Sequence, residues 1–287
     1  MKNQTIQALS DLRPALLSAA MLVLLPFSSS AKNSDNPAYS LTGIAELGFL
    51  AVLDHKVQFS KTGTYFDYDE YGGQDVLFPF HRISLDLALG PKHHLMFLYQ
   101  PLSLVTRETL DRDLDVDGVV FADGTPMEFV YNFPFWRLSW LYDFSGNPDR
   151  EFAFGLSFQI RNATIDFRSL DGDQLRSTRD IGPVPVLKTR MHRQWSNGLR
   201  LGMEADGFYA PISYINGSDN EVVGAILDAS LNAGLKFKQS LPYLNLRYLG
   251  GGAVGSSTDR EGPGDGYVRN WLHFMTVSIG VVHPLFK

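Results

Sequence analysis

The chain has 287 residues, a formal net charge of -6 and no cysteine. Lack of cysteine excludes disulfides, zinc–thiolate sites and a cysteine nucleophile, and an acidic balance without a basic block argues against a nucleic-acid partner. Aromatic residues make up 13% of the chain. The mean hydropathy of -0.09 is that of an ordinary soluble protein, but strict alternation of apolar and polar residues also averages to zero.

The N-terminal 31 residues have the pattern of a secretory signal peptide. Lys2 and Arg13 precede a 13-residue apolar run over 15–27, and Ala31 ends a short stretch of small residues. The run is too short for a transmembrane helix, which needs about 20 residues. We therefore expect residues 1–31 to be removed and residues 32–287 to form one exported domain.

Beyond the leader, apolar residues recur at every second position, which is the period of a β-strand. A clear example is the row Phe152, Phe154, Leu156, Phe158. An apparent change of face at Pro101 predicts a bulge, and the last segment changes phase between Trp271 and Phe274. Ten segments follow the pattern, at about 40–53, 80–90, 94–108, 129–144, 151–167, 184–195, 199–211, 222–237, 242–254 and 267–285.

The connections between these segments alternate in length. Short connections rich in turn formers alternate with long ones, and the series begins and ends with a long one. This order predicts an all-β fold: a single antiparallel up-and-down barrel of about ten strands, with both chain ends on the short-turn side. The short connections are 90–93, 145–149, 195–198 and 238–240, and the long ones are about 54–79, 109–128, 168–183, 212–221 and 255–266.

Alternation alone does not separate a membrane barrel from a secreted β-sandwich or a lipocalin-like barrel, which remain the alternatives. Three features favour the membrane: the export signal, aromatic residues at segment ends, and long apolar rows almost free of charge. Over 40–287 the pattern resembles the bacterial outer-membrane β-barrel class, in its ten-stranded size range. The resemblance implies a transmembrane barrel in the bacterial outer membrane, in contact with its lipid and inserted by the barrel-assembly machinery. Members of the class end on an aromatic residue, whereas Phe286 is penultimate here.

In a membrane barrel the polar row of each strand faces the interior. The expected lumen charges comprise eight cations and six anions, and because unpaired buried charges are costly, we expect them to form ion pairs. A barrel of ten strands is narrow, which favours a structural plug over a pore. A narrow channel that prefers anions is the alternative. The predicted lumen residues are Glu46, Arg82, Asp86, Arg137, Asp143, Arg161, Lys188, Arg190, Arg200, Glu204, Asp206, Asp228, Lys236 and Arg247.

One short motif suggests a metal. Asp113, Asp115 and Asp117, followed by Gly118, match the opening of a calcium-binding loop. The twelfth position is Gly124 rather than Glu, so a solvated acidic loop is the alternative. No other cofactor is expected. Asp123–Gly124 is expected to close a small hairpin within this second long connection.

The first long connection interleaves Tyr65, Phe66, Tyr68 and Tyr71 with carboxylates. Such a mixture is typical of a contact surface for a protein or a glycan, or these residues form the tops of the first two strands.

Histidine and acidic residues offer only unspecific spacings for catalysis, so no catalytic residue is assigned. The pairs considered are His81 with Asp75 or Asp86, completed by Ser84 or Ser103, and His192 with Glu204 and Asp206.

The leading functional prediction is a non-enzymatic outer-membrane barrel with a structural or surface-contact role, carried by the loops at 54–79 and 109–128. The alternatives are a narrow channel for small solutes and an outer-membrane hydrolase acting on lipid or peptide at the outer rim.

Overall fold

The computed structural model describes residues 39–211, 221–256 and 265–286. The predicted signal peptide and most of the last two long connections lie outside this range. No helix in the described part of the chain is long and apolar enough to cross a membrane. The strands are β1 (Tyr39–Phe59), β2 (Phe66–Asp67), β3 (Leu77–Leu89), β4 (His93–Gln100), β5 (Ser103–Thr109), β6 (Leu114–Val116), β7 (Val119–Phe121), β8 (Pro126–Asn132), β9 (Phe135–Asp143), β10 (Arg150–Ser169), β11 (Leu175–Gln194), β12 (Leu199–Pro211), β13 (Glu221–Leu235), β14 (Leu241–Ser256) and β15 (Tyr267–Phe286).

Ten of these strands close into one antiparallel barrel, in the order β1, β3, β4, β9, β10, β11, β12, β13, β14, β15 and back to β1. Leu41 near the start of β1 pairs with Phe286 at the end of β15, so both described chain ends lie at the end with the short turns. The predicted all-β barrel is confirmed. We call the half next to the short turns the lower half, and the other the upper half.

Two barrel strands are interrupted by proline. The β4–β9 ladder (His93 opposite Tyr142) and the β5–β8 ladder (Ser103 opposite Asn132) have one common register, on either side of Pro101 and Pro134. Even-numbered residues 96, 98, 102 and 104 are buried on both sides of Pro101. The prediction of a bulge that switches faces at Pro101 is therefore wrong.

The phase change predicted near Trp271 has a related explanation. Leu272, Phe274, Thr276 and Ser278 are all buried, so β15 keeps one face inward throughout. The register irregularity lies on the opposite strand, between Val52 and Asp54 of β1. What changes along β15 is the chemistry of the inward side chains, from hydroxyls below to apolar groups above.

This change of chemistry divides the whole barrel. In the lower half of β10, Phe154, Leu156 and Phe158 face outward and are about half exposed. In its upper half the apolar residues Ile165 and Phe167 face inward. The exposed apolar belt of the lower half includes Phe49, Leu53, Leu85, Leu95, Phe97, Leu138, Trp140, Phe152, Phe154, Leu156, Phe158, Leu187, Leu201, Met203, Leu227, Leu231, Leu244, Leu246, Val277 and Ile279.

Aromatic rings mark the two borders of this belt. Tyr99 and Trp136 stack at the upper border, with ring centroids 5.5 Å apart. Tyr142 contacts Phe144 edge to face at the lower border, with centroids 5.0 Å apart. Amphipathic rings at both edges of an apolar band are typical of strands that cross a bilayer.

The upper half is closed by an aromatic core to which the first long connection contributes. Phe66 and Tyr68 are buried there; the ring of Phe66 lies 5.1 Å from that of Phe129 and 5.7 Å from that of Phe167. The prediction that the aromatic residues of this connection form an exposed surface or strand tops is thus wrong for Phe66 and Tyr68. Tyr65 is 43% exposed.

Two predicted connections differ from expectation. Most of residues 168–183 belong to an extended hairpin, because β10 continues to Ser169 and β11 begins at Leu175. The second long connection contains a small hairpin, β6–β7, whose turn is Asp117–Gly118 rather than Asp123–Gly124. Both turn residues have positive φ, 56° and 84°, as the tight Asp-Gly hairpin turn requires.

Candidate functional site

The interior of the lower half is a network of buried charges centred on Asp228. This carboxylate accepts hydrogen bonds from Arg82 (3.0 Å), Arg137 (3.1 Å) and Arg247 (2.5 Å). The three arginines come from β3, β9 and β14, across the barrel. Each stands on the inward row of its strand, and in a narrow barrel these rows meet at the axis.

A second carboxylate extends the network towards β11. Asp206 forms salt bridges with Arg137 (2.9 Å) and Lys188 (3.0 Å), and Lys188 also contacts Glu204 at 3.2 Å. Asp206 is fully buried and Lys188 is almost so. On the opposite side Glu46 accepts a hydrogen bond from Arg247 at 3.3 Å.

Nearer the short turns, Arg190 is held between two carboxylates. Its guanidinium lies 2.6 Å from Glu151 and 2.8 Å from Asp86. Each carboxylate also contacts a histidine: Asp86 with His94 at 3.0 Å and Glu151 with His192 at 2.8 Å. Glu151 was missed from sequence, although it shares the inward parity of Ser157 and Gln159.

Three predicted lumen residues have other surroundings. Lys236 lies beyond the end of β13 and is exposed, so its placement in the lumen is wrong. Arg161 lies above the network, pairs with the exposed Asp180 at 3.1 Å and stacks on Phe133. Asp143 is buried, but it accepts hydrogen bonds from the turn after β9, including Ser145 N at 2.9 Å.

The network is close to electrically neutral. The cations are Arg82, Arg137, Lys188, Arg190, Arg200 and Arg247, and the anions are Glu46, Asp86, Glu151, Glu204, Asp206 and Asp228. The cationic excess expected from the inward rows is therefore not observed. Paired charges of both signs fill the interior and tie strands on opposite sides of the barrel together.

One histidine is buried in the aromatic core of the upper half. His55 stacks on Tyr68 with ring centroids 4.3 Å apart, and its Nδ1 lies 2.8 Å from Gln74 Oε1. Burial lowers the pKa of the His55 imidazole to about 4, against the smaller opposing effect of the Gln74 hydrogen bond. The ring is therefore neutral at physiological pH and acts as part of the core.

An acidic cleft lies at the upper tip, between the first connection and β5. Its volume is about 280 Å³. Tyr71 lines it and carries Arg112 stacked on its ring, 3.6 Å from the centroid. The other lining residues are Asp69, Glu70, Gly73, Asp75, Glu108, Thr109 and Asp111.

The three carboxylates of the predicted calcium motif each have a hydrogen-bond or ion-pair partner within the protein. Asp117 is ion-paired with Arg176, Asp115 accepts from Gly118 N at 2.9 Å, and Asp113 accepts from Asp123 N at 2.8 Å. Within the described ranges no group of three or more histidine and acidic side chains is arranged to hold a metal ion. The aspartate–glycine pattern here forms the tight turn of β6–β7.

The histidine–acid pairs considered for catalysis are mostly not brought together. His81 is on the outward row of β3, whereas Ser84 and Asp86 are on its inward row. His192 contacts Glu151 rather than Glu204 or Asp206. No serine of these sets contacts either histidine in the described residues.

No protein-family model and no curated protein matches the sequence. Among solved structures, the chain is similar to the outer membrane protease OmpT from Escherichia coli, with 12% identity, a TM-score of 0.47, and coverage of 90% of this chain and 99% of that one. It is also similar to the toluene transporters TodX of P. putida (10% identity, TM-score 0.34, covering 89% and 91%) and TbuX of Ralstonia pickettii (10%, 0.30, covering 88% and 92%). Nothing about the activity or substrate of this chain follows from such distant similarities. Its own geometry, a closed ten-stranded barrel with an apolar belt and a charged interior, is that of an outer-membrane β-barrel fold.

Proposed function

We propose that the protein is a non-conducting barrel of the bacterial outer membrane, whose upper half projects beyond the lipid and makes surface contacts. The lower half supports the membrane location. Its outward apolar rows are bordered by aromatic rings on both sides, while its charges face inward. In water such a surface would be a very large exposed apolar patch, which soluble proteins avoid.

The filled interior is the main observation that supports a barrel without ion conduction. At mid-height Arg137, Asp206 and Asp228 are each no more than 1% exposed, and Lys188 is 2% exposed. Above them the aromatic core, with Phe66 and Tyr68 from the first connection, closes the upper end. An ion would have to cross both layers, so the narrow-channel alternative is not favoured.

The upper half supports the contact role. Its outward residues on β10, among them Thr164, Asp166 and Arg168, are polar, as is usual for a wall that faces water. The first and second long connections fold into ordered structure above the barrel through β2 and β6–β7. Together they form an ordered platform above the barrel rather than a passage.

Planar-bilayer recording on the refolded full chain tests this proposal. We expect efficient insertion, shown by protease protection and heat-modifiable migration, with no stepwise current at high protein load. Regular current steps from inserted protein would overturn the non-conducting assignment. Recovery of the protein in the soluble fraction with lipid would overturn the membrane assignment.

A further inference from the structure

One strand of the upper half has an open edge. β5 pairs with β8 on one side, and no strand pairs with its other side in the described residues. The neighbouring β3–β4 ladder ends at the pair Ile83–Tyr99. Above that pair, residues 77–82 of β3 pair with β1 alone. A seam therefore runs up the barrel wall between β3 and β5.

The backbone groups at this edge can be identified. Phe133 N donates to Leu102 O at 2.7 Å and Leu110 N donates to Thr125 O at 3.1 Å. Because alternate residues of an antiparallel strand direct both backbone groups to the same neighbour, even-numbered residues of β5 face β8. Ser103, Val105, Arg107 and Thr109 therefore direct their amides and carbonyls into the seam. Within the described ranges these backbone groups form no hydrogen bond.

Two prolines keep the seam from closing. Continuing the β3–β4 register upwards would place His81 opposite Pro101 and Pro79 opposite Ser103. Both prolines stand at the alternate positions that face the seam, and neither has an N–H to donate. The opening is thus encoded in the sequence, and it begins just above the Tyr99–Trp136 border of the apolar belt.

The edge is accessible from outside. Val105 is 49% exposed, and Ser103 and Arg107 are exposed as well. The first connection packs on the inward side of β5, where Thr106 Oγ1 donates to Gly72 O. On the seam side, no strand of the described residues pairs with β5.

The acidic cleft lies at the upper end of this edge and shares Glu108 and Thr109 with β5. Asp69, Asp75 and Glu108 have no salt-bridge partner among the described residues. Burial, followed by the neighbouring carboxylates Asp67 and Asp75, raises the pKa of Asp69. A second copy of the chain would bring an equally acidic cleft to the same place, so self-pairing is disfavoured.

We infer that the open edge of β5 binds an extended polypeptide segment as an added strand, with a basic side chain of that segment in the acidic cleft. Main-chain hydrogen bonds to residues 103–109 supply the affinity, and the cleft supplies the charge preference. Seven residues of strand match an occupant of about seven residues. This inference rests on the proposed surface-contact role and specifies its partner.

The test uses the full chain in lipid nanodiscs and a fluorescent peptide, Lys-Val-Thr-Val-Thr-Val-Lys. We expect saturable binding, loss of binding when the central valine of the peptide is replaced by proline, and much weaker binding when both lysines are replaced by glutamate. Amide exchange on the unmodified protein should slow at Val105, Arg107 and Thr109 when peptide is added. The amides of Leu104 and Thr106, already bonded to β8, should not change.

Two matched pairs of variants distinguish the contribution of the main-chain hydrogen bonds to peptide binding from that of the acidic cleft. Val105→Pro removes one seam-facing N–H and should weaken binding about 3- to 10-fold, whereas Val105→Thr keeps it and should stay within about twofold. Asp75→Asn should weaken binding about 2- to 5-fold, whereas Asp173→Asn, at the tip of the β10–β11 hairpin, should have no effect.

Three results would overturn the inference: no binding, equal binding of the lysine and glutamate peptides, or unchanged exchange at all three amides. Protection of these amides that grows with protein concentration, without peptide, would show that a second copy occupies the edge instead. Conductance is recorded on the same preparation. A silent barrel that binds no peptide would contradict this inference and leave the proposed function standing.

Discussion

The two halves of β10 carry opposite polarity on one continuous strand. In the lower half Phe154, Leu156 and Phe158 face outward and Ser157 faces inward; in the upper half Asp166 and Arg168 face outward and Phe167 faces inward. The strand keeps its register and its inward parity throughout. Alternation fixes which residues share a face, whereas the surroundings of the wall decide which face is apolar.

The interiors of the two halves are also filled by different interactions, ion pairs in the lower half and aromatic packing in the upper half. Below, paired charges must be satisfied by exact partners across the axis, because a lone buried charge is costly. Above, aromatic rings pack as in a soluble core and need only shape and volume.

The largest effect is expected in the lower interior. Asp228→Ala leaves Arg82, Arg137 and Arg247 without their shared carboxylate, and should lower the free energy of unfolding by about 3–5 kcal/mol. Urea unfolding in lipid, followed by tryptophan fluorescence, measures the loss. The control Asp180→Ala removes the exposed partner of Arg161 and should cost about 0–1 kcal/mol. Equal effects of the two variants would contradict a buried network.

An added charge on the outward face of β10 should destabilise the lower half of the barrel much more than the upper half. Leu156→Arg puts a cation into the apolar belt and should cost about 2–4 kcal/mol in lipid. Thr164→Arg, on the same face of β10 but in the upper half, should change stability by less than about 0.5 kcal/mol. The same unfolding assay compares them. Similar costs at both positions would mean that the belt does not end between these residues.

Acid should weaken the upper half through His55. The pKa of His55 is about 4 in the folded core and about 6.5 when the ring is exposed. Between these values the opened chain binds a proton that the folded core does not, so stability is full above pH 6.5 and falls as the pH drops towards 4. The loss amounts to about 3 kcal/mol.

Amide exchange in β2 and β8 as a function of pH measures this loss. His55→Phe should flatten the dependence between pH 6.5 and 4. His93→Gln, at the exposed start of β4 at the opposite end of the barrel, should leave it unchanged. An exchange rate in β2 that is independent of pH in the unmodified protein would contradict a neutral buried ring.

The smallest effect is expected from a volume change in the upper core. Phe129→Leu leaves a partly filled space beside Phe66 and Phe167 and should cost about 1 kcal/mol. Phe158→Leu in the lipid-facing belt should cost less, because lipid chains fill the space. Thermal unfolding of the two variants in matched nanodiscs makes the comparison. A larger loss from Phe158→Leu would reverse the assignment of inside and outside at these heights.

Much of the fold was predictable, because period-two rows and turn residues are local signals. The ten segments, the short turns and the antiparallel order all follow from them. The errors arise where polarity inverts: the apolar row moves from Leu95 and Phe97 outside to Leu102 and Leu104 inside, which looks like a bulge at Pro101. Only the water-facing wall above the belt explains this, and alternation carries no information about height.

The sequence predicts which residues of the charged network face inward better than it predicts which of them contact each other. The rows indicate Arg82, Arg137 and Asp228 as inward, but their meeting across the axis depends on the closure and shear of the whole barrel. Phe66 and Tyr68 alternate with Asp67 and Asp69 over only four residues, which is too short a pattern to indicate that they fold inward. Glu151 could have been predicted to face inward, because it lies on the same row of β10 as Ser157.

Thiol labelling along β10 tests the inversion of polarity most directly, because the chain has no cysteine of its own. Single cysteines at positions 154, 156, 158, 164, 166 and 168 all face outward on this strand. With the protein in a bilayer, a membrane-impermeant maleimide should label positions 164, 166 and 168 from outside and leave 154, 156 and 158 unlabelled until detergent is added. Uniform labelling of all six positions would contradict a barrel whose lower half faces lipid and whose upper half faces water.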